Sequence, residues 1–372
     1  MDLSERRRIG STGLEIPILG LGTAPIGGLY GGPASEADAV ALIRRTYDLG
    51  IRSFDTAPEY GRGFSESRLG DVLPELPRDQ IVVSTKAGKP LRPITFAAKS
   101  RQVLAESIRN GDVRRVAGHA IKITRRLAHR RAGGVRLGDR FDRGYPAFEL
   151  YEDFSYDGVM RSIEASLARL RLDRVDILYI HEPDDHHDEA LDGAFKALDR
   201  LRSEGAVQAV GVGMNQTAML VRFANEAPFD CFLVGGRYTL LDHEALRELF
   251  PLCERLGISI VAGGVYNSGI LADPKPGAMF DYKRAPRAKL ERAQRIKSIC
   301  ARHGVPLMAA AIQFPLGHRV VASVLTGVRS VDELTQNVAM FEVEIPDALW
   351  QDLRSEGLLA ADAPTPSNRA VA

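Results

Sequence analysis

RSFDTAPEYG at residues 52–61, followed by IVVSTK at 81–86, sets an acid, a tyrosine and a lysine at the ends of two successive short apolar runs. Runs of that length, rich in β-branched residues, read as buried strands. In a parallel α/β barrel the interior is packed in apolar layers, and the loops at the carboxyl ends of the strands carry the chemistry. Asp55, Tyr60 and Lys86 are then expected to share one pocket at that face.

The same alternation continues on both sides. The further strand candidates are ILGLG (18–22), VDILYIH (175–181), AVGVGM (209–214), CFLV (231–234), SIVAGG (259–264) and ASVLTG (322–327). Helical periodicity lies between them at 35–49, 65–73, 156–170, 190–204, 217–225, 244–256, 287–303 and 331–341. Eight strands, each followed by a helix, predict an α/β fold of the (β/α)8 TIM-barrel type. Ser35 with Asp38 forms a helix-start capping pair, and Gly50, Gly205, Gly257 and Gly304 fall where helices end.

Two segments break the pattern, so the expected domain is a single barrel over 1–360 with an insertion at about 88–153. Within the insertion, 99–143 carries thirteen Lys or Arg against four Asp or Glu, a net of +9. With almost no aromatic residues interleaved, this run reads as a solvated face rather than a nucleic-acid or membrane surface. Because the insertion leaves the strand that ends in Lys86, we expect it at the carboxyl face, as a lid or pocket wall. Residues 361–372 are small, polar and proline-bearing, which predicts a disordered tail.

Composition excludes several classes. Of 372 residues, 45% are hydrophobic and 26% charged, and the net charge is +1, so nothing draws the whole chain to nucleic acid or an anionic membrane. No signal peptide or apolar run long enough to span a bilayer occurs, and the protein is expected in the cytoplasm. Cys231, Cys253 and Cys300 are odd in number and lack metal-ligand spacing. They read as buried apolar side chains. No motif bears on oligomeric state.

VDILYIH ends in His181, which adds a fourth polar group to the same face. FDTAPEYGRGFSESRLG, VSTKAG, RLDRVDILYIHEPD, GVGMNQ and VLTGVRSVDELTQNV together resemble the aldo-keto reductase superfamily, across most of the chain outside the insertion and tail. RYTLLD (237–242) and VYNSGILA (265–272) resemble the branch of aldose 1-dehydrogenases, L-fucose and L-galactose dehydrogenases and pyridoxal 4-dehydrogenase.

The resemblance implies a catalytic tetrad of Asp55, Tyr60, Lys86 and His181. Hydride exchange between a nicotinamide and a carbonyl carbon requires a proton to move at the carbonyl oxygen, and tyrosine, with a pKa of about 10, is a poor base at neutrality. A lysine cation is expected to lower that pKa, with Asp55 keeping Lys86 charged. Neutral His181 is expected to orient the substrate oxygen. Carried over in the same way, the nicotinamide contacts are Gly22, Thr23, Ala24, Asp55 and Asn215, and the adenosine contacts are Gly327, Val328, Arg329, Ser330, Glu333 and Asn337. The chain departs from the family at Met214, usually serine, and at or near Gly235, where the family's glutamine falls. No Rossmann glycine fingerprint is present, as befits barrel-type cofactor binding.

NADP-preferring relatives carry cations at the positions of Gly327 and Glu333, so NAD is expected here, with NADP as the alternative through Arg329. The expected substrate is a small sugar or aldehyde, most simply an aldose oxidised to its lactone, and Glu59, Arg62, Arg237, Tyr266 and Asn267 are the candidate substrate contacts. The competing readings are a general NADPH-dependent aldehyde or ketone reductase and a non-catalytic cofactor-sensing subunit. A metal-dependent hydrolase, prompted by HEPDDHHDE at 181–189, is disfavoured because those groups lie in one loop, and no resident metal is expected.

Overall fold

A computed structural model of the chain describes residues 1–28, 35–93 and 148–366. Eight strands close into a barrel: β1 (Leu19–Gly22), β2 (Ser53–Asp55), β3 (Val82–Ala87), β4 (Ile177–His181), β5 (Ala209–Met214), β6 (Cys231–Gly235), β7 (Ser259–Gly263) and β8 (Val321–Gly327). Each pairs in parallel with the next, and β8 returns to β1. The eight strands predicted from the sequence are therefore the eight barrel strands, shifted at their ends by a residue or two.

Among the described residues, the helices of seven residues or more are α1 (Glu36–Asp48), α2 (Phe64–Gly70), α3 (Tyr156–Leu170), α4 (Lys196–Ser203), α5 (Thr217–Glu226), α6 (Leu249–Leu256), α7 (Arg287–Arg302), α8 (Leu307–Gln313), α9 (Val331–Glu342) and α10 (Asp347–Ser355). Their apolar faces bury against the outer side of the barrel, with Leu42, Ile163, Leu198, Leu220 and Leu334 among the contributors. Ser35 caps α1 as expected, its hydroxyl accepting from the Asp38 amide at 3.1 Å. The predicted helix at 244–256 is instead a single 3-10 turn (Glu244–Leu246) followed by α6. Pro251 explains the start: it is tolerated in a first turn, where no amide donor is needed, and not deeper in a helix. The predicted helix at 190–204 opens with a π-helical turn, Ala190–Phe195, before α4.

Ahead of the barrel, Arg6–Arg8 and Glu15–Pro17 form an antiparallel hairpin that the strand pattern did not foresee. Ile9, Leu14 and Ile16 of this segment bury against Val82, Ile177, Ala209 and Cys231, residues that begin their strands. The amino-terminal end of the barrel is thereby plugged with apolar side chains, and polar chemistry is left to the other end.

The chain divides into two compact units, Met1–Pro90 with Glu152–Ala372, and Leu91–Tyr151. In the second, Leu91–Pro93 pairs antiparallel with Phe148–Leu150. The basic run at 99–143, and with it the expected lid, lies outside the described residues. The expectation of a disordered tail is corrected for residues 363–366, which pack against the fold, while 367–372 lie outside the described residues. Ala363 is buried, and Arg354 donates to the Ala363 carbonyl and to Thr365 Oγ1, both at 2.9 Å. Among the described residues, no helix is long and apolar enough to cross a membrane.

Candidate active site

Strand alternation sets the floor of the site. On β3, Ser84 and Lys86 face the barrel axis while Thr85 between them points out to α2, where its hydroxyl donates to Glu66 at 2.7 Å. Asp55 ends β2 beside them. Lys86 Nζ lies 2.7 Å from Asp55 Oδ1 and 2.8 Å from the Thr56 carbonyl, and Ser84 Oγ donates to Asp55 Oδ2 at 2.7 Å. Lys86 and Asp55 are 2% and 3% exposed, so each depends on the other: a buried ion pair is tolerated only when its remaining donors and acceptors are also met, as here. Below this layer a second set of hydroxyls fixes the turn, with Thr23 Oγ1 donating to the Asp55 carbonyl at 2.8 Å and Ser65 Oγ to Thr23 Oγ1 at 2.5 Å.

Tyr60 reaches the same point from the turn after β2. Lys86 Nζ lies 4.6 Å from its ring centre, close enough for its charge to favour the phenolate. Gly61 adopts φ 65°, and a Cβ there would meet the Gly27 carbonyl at 2.0 Å, so only glycine lets the turns after β1 and β2 close on each other beside Tyr60. His181, at the end of β4, stands edge-on to Tyr60 with ring centres 6.0 Å apart. The four groups predicted in sequence are thus brought together at the carboxyl ends of three adjacent strands.

Their ionisation differs in one respect from the expectation. Burial pushes Tyr60 up to about 12; Lys86 opposes this, but Asp55 adds to it. Lysine thus lowers the phenol relative to its buried state without bringing it below an ordinary tyrosine. Burial also acts against the Lys86 ammonium, yet Asp55 and Tyr60 outweigh it and hold the lysine charged. Burial first, then Lys86 and Lys89, keep His181 neutral, well below the usual histidine range.

A second charged group adjoins the first. Lys89 Nζ is 2.9 Å from Glu182 Oε2 and 3.8 Å from Glu59 Oε2, and Glu59 Oε2 is 3.5 Å from His181 Nδ1. Donor atoms of Glu59, His181 and Glu182 lie within 4.8 Å of one another, a spacing that suits a metal ion. Here Lys89 supplies the positive charge that the carboxylates require.

Comparison with known proteins agrees with this geometry. The sequence profile of the aldo/keto reductase family matches residues 18–356. The chain belongs to the aldo/keto reductase family. It is 42% identical over 368 residues to a pyridoxal 4-dehydrogenase of Microbacterium luteolum, covering 96% of this chain and 98% of that one. It is 40% identical over 359 residues to a D-threo-aldose 1-dehydrogenase of Pseudomonas sp, covering 96% and 97%. Among solved structures, an aldo-keto reductase of Bacillus halodurans in its holo form superposes with a TM-score of 0.66 at 22% identity, covering 98% of both chains. As an aldo/keto reductase the chain is a nicotinamide-dependent oxidoreductase of small molecules.

The positions matched to the family's cofactor contacts ring the same barrel face. Gly22 and Gly327 are neighbours in the β8–β1 register, and a Cβ on Gly22 would find nothing nearer than 3.7 Å, which leaves an open cradle. Ala24 keeps partial exposure, whereas the Thr23 and Val328 side chains are buried, so those two offer backbone only. Asn215 follows β5, and its Oδ1 would lie 2.1 Å from a Cβ at position 235. Gly235 thus makes room for the Asn215 amide, and Met214 is turned into the core. Ser330 caps α9, accepting from the Glu333 amide at 3.2 Å. Asn337 accepts from the Tyr266 hydroxyl at 3.0 Å, linking the turn after β7 to α9. These glycines, the amide and the helix start fit a dinucleotide lying across the strand ends.

Of the five substrate candidates, Glu59 approaches His181, its Oε2 3.5 Å from Nδ1. Arg237 binds Asp281 Oδ1 and Oδ2 at 2.9 and 3.0 Å. Asn267 is buried, accepting from Thr239 Oγ1 at 2.5 Å and donating to the Gly236 carbonyl at 3.1 Å. Both hold loops together. Tyr266 is tied to α9, and Arg62 is exposed in a left-handed turn, φ 54°. Ser84, Lys89 and Glu182 were not among the candidates read from the sequence; the i, i+2 spacing of Ser84 from Lys86 was the available signal for the first.

Proposed function

We propose that this enzyme oxidises the hydroxyl at a hemiacetal carbon of a polar, ring-shaped substrate, an aldopyranose going to its lactone, with NAD as acceptor. The observation that carries it is the buried Asp55–Lys86 pair beside Tyr60, with a neutral His181 facing the same ring. Tyr60 is the proton shuttle: its oxygen takes the hydroxyl proton as the C–H bond breaks, or returns it in the reverse reaction. Lys86 favours the phenolate form, Asp55, itself held by Ser84, fixes Lys86, and His181 positions the substrate oxygen without bringing a charge. Gly22, Asn215 and Gly327 would hold the nicotinamide, which when bound would supply the hydride acceptor. A direction cannot come from tyrosine, which serves as acid or base; the similarity to an aldose 1-dehydrogenase and a pyridoxal 4-dehydrogenase favours oxidation. The second reading, pyridoxal, has the same logic, since its aldehyde closes on a neighbouring hydroxymethyl group to a cyclic hemiacetal.

The preference for NAD rests on the start of α9. Glu333 accepts from the Arg329 amide at 2.8 Å and from its guanidinium at 2.9 Å, so a 2′-phosphate has to compete with a carboxylate already paired to that arginine. A ribose hydroxyl instead finds an acceptor. Glu333→Arg should move the ratio of kcat/KM values toward NADP. We place the enzyme in the cytoplasm, where three buried free thiols, Cys231, Cys253 and Cys300, are at home.

A panel of aldopyranoses, pyridoxal and simple aldehydes, followed by reduced-nicotinamide absorbance in both directions with both cofactors, tests the assignment. Sugar or pyridoxal oxidation with NAD is the expected result. Faster reduction of simple aldehydes with NADPH than oxidation of any sugar or pyridoxal would overturn it.

A further inference from the structure

The Tyr60–His181 pair marks where the reacting oxygen lies, and three charged side chains converge immediately beside it from three strand-end turns. Glu59 precedes Tyr60, Glu182 follows His181, and Lys89 lies beyond Lys86 in the turn after β3. Lys89 is 8% exposed and its ammonium sits 2.9 Å from Glu182 and 3.8 Å from Glu59, while the two carboxylate side chains each remain 34% exposed. Neither the proton transfer nor the cofactor cradle uses these three groups.

Their arrangement is costly to maintain. A lysine head taken out of water needs close carboxylates, and two carboxylates side by side repel unless a cation joins them. Glu182 also adopts φ 43°, a left-handed conformation unusual outside glycine, with its amide anchored on the Gly213 carbonyl at 2.9 Å. Such backbone strain persists where the surroundings impose it, and it clusters at functional sites. Glu59 is pushed up by burial against the pull of Lys89, a further sign that it lies in a partly dry wall rather than in bulk water.

We propose that Glu59, Lys89 and Glu182 form the subsite that reads hydroxyl groups on the carbons next to the reacting one, which makes vicinal polyols the preferred substrate class. The chemistry is an acceptor–donor–acceptor row. Ionised carboxylates only accept and an ammonium only donates, whereas each hydroxyl of a polyol does both, so consecutive hydroxyls can satisfy consecutive members of the row. A substrate without them leaves buried charge unsolvated and binds less well. The inference deepens the function proposed above and rests on its placement of the reacting oxygen, but it holds for either reaction direction.

The test compares D-glyceraldehyde with propanal, reduced by the full-length enzyme with saturating reduced nicotinamide, in wild type, Lys89→Met, Glu182→Gln and Lys89→Arg. Wild type should favour glyceraldehyde in kcat/KM by about 10- to 100-fold, mostly through KM; a fully buried hydroxyl site reaches about 10⁴-fold, and these carboxylates keep some water. Lys89→Met and Glu182→Gln should bring the ratio close to one, and Lys89→Arg should restore part of it. A wild-type ratio near one, or variants that slow both aldehydes equally, would overturn the subsite. Should Lys89→Met not fold, Glu182→Gln decides, because its partly exposed side chain loses charge without losing volume. Absence of any aldopyranose oxidation would count against the proposed reaction instead, and is read in a separate assay.

Discussion

At the scale of single residues, a tyrosine that burial makes a weaker acid is set against a lysine that offsets part of that effect. With Tyr60 near 12, the phenol form dominates at neutral pH, and the base form needed for oxidation becomes more populated as pH rises. Removing the cation disfavours the phenolate further, so its pKa moves up, not down. Lys86→Met should therefore slow oxidation at neutral pH and displace the alkaline rise of kcat to higher pH. Profiles of wild type and variant that superpose would mean that Lys86 does not act through Tyr60. The clustering of Asp55, Tyr60, Lys86 and His181 was legible because each ends a strand or follows one closely. Their net ionisation was not, since a sequence does not reveal how dry a pocket is.

At the scale of elements, one buried carboxylate ties α2 to both β3 and α3. Glu66 accepts from Thr85 Oγ1 on β3 and from Arg169 Nε on α3, both at 2.7 Å, and its side chain is fully buried. Glu66→Ala strands Arg169 at the α2–α3 contact and frees the outward side of the strand that carries Lys86. Breaking a buried pair from one side costs about 3–5 kcal/mol, so the denaturation midpoint should fall by that equivalent with the m-value unchanged. A loss within experimental error of zero would show that water replaces the carboxylate. The sequence placed α2 from its period and could not place this link, because Glu66 and Arg169 are over a hundred positions apart. The element boundaries it misjudged have local causes, as with Pro251 in α6.

At the scale of the whole molecule, apolar residues close one end of the barrel and charged residues gather at the other. The plug by Ile9, Leu14 and Ile16 and the packing of Ala363 both join chain ends to distant parts of the fold, contacts that no periodicity announces. The strand–helix alternation, by contrast, is local and was readable throughout, as were the turns that place Asp55, Tyr60, Lys86 and His181. The side chains that hold those four in place, Ser84 and Thr23 among them, emerge only once strands are neighbours. The function proposed above requires the fold to aim one phenol oxygen, that of Tyr60, at a substrate. That claim is tested most directly by the oxidation rate of Tyr60→Phe with its best aldose or pyridoxal substrate, alongside cofactor affinity measured by fluorescence titration. The expected result is a loss of at least about 100-fold in kcat with cofactor binding nearly intact. A variant that keeps more than about a tenth of the wild-type rate would contradict it, because general acid–base catalysis is worth roughly 100-fold or more.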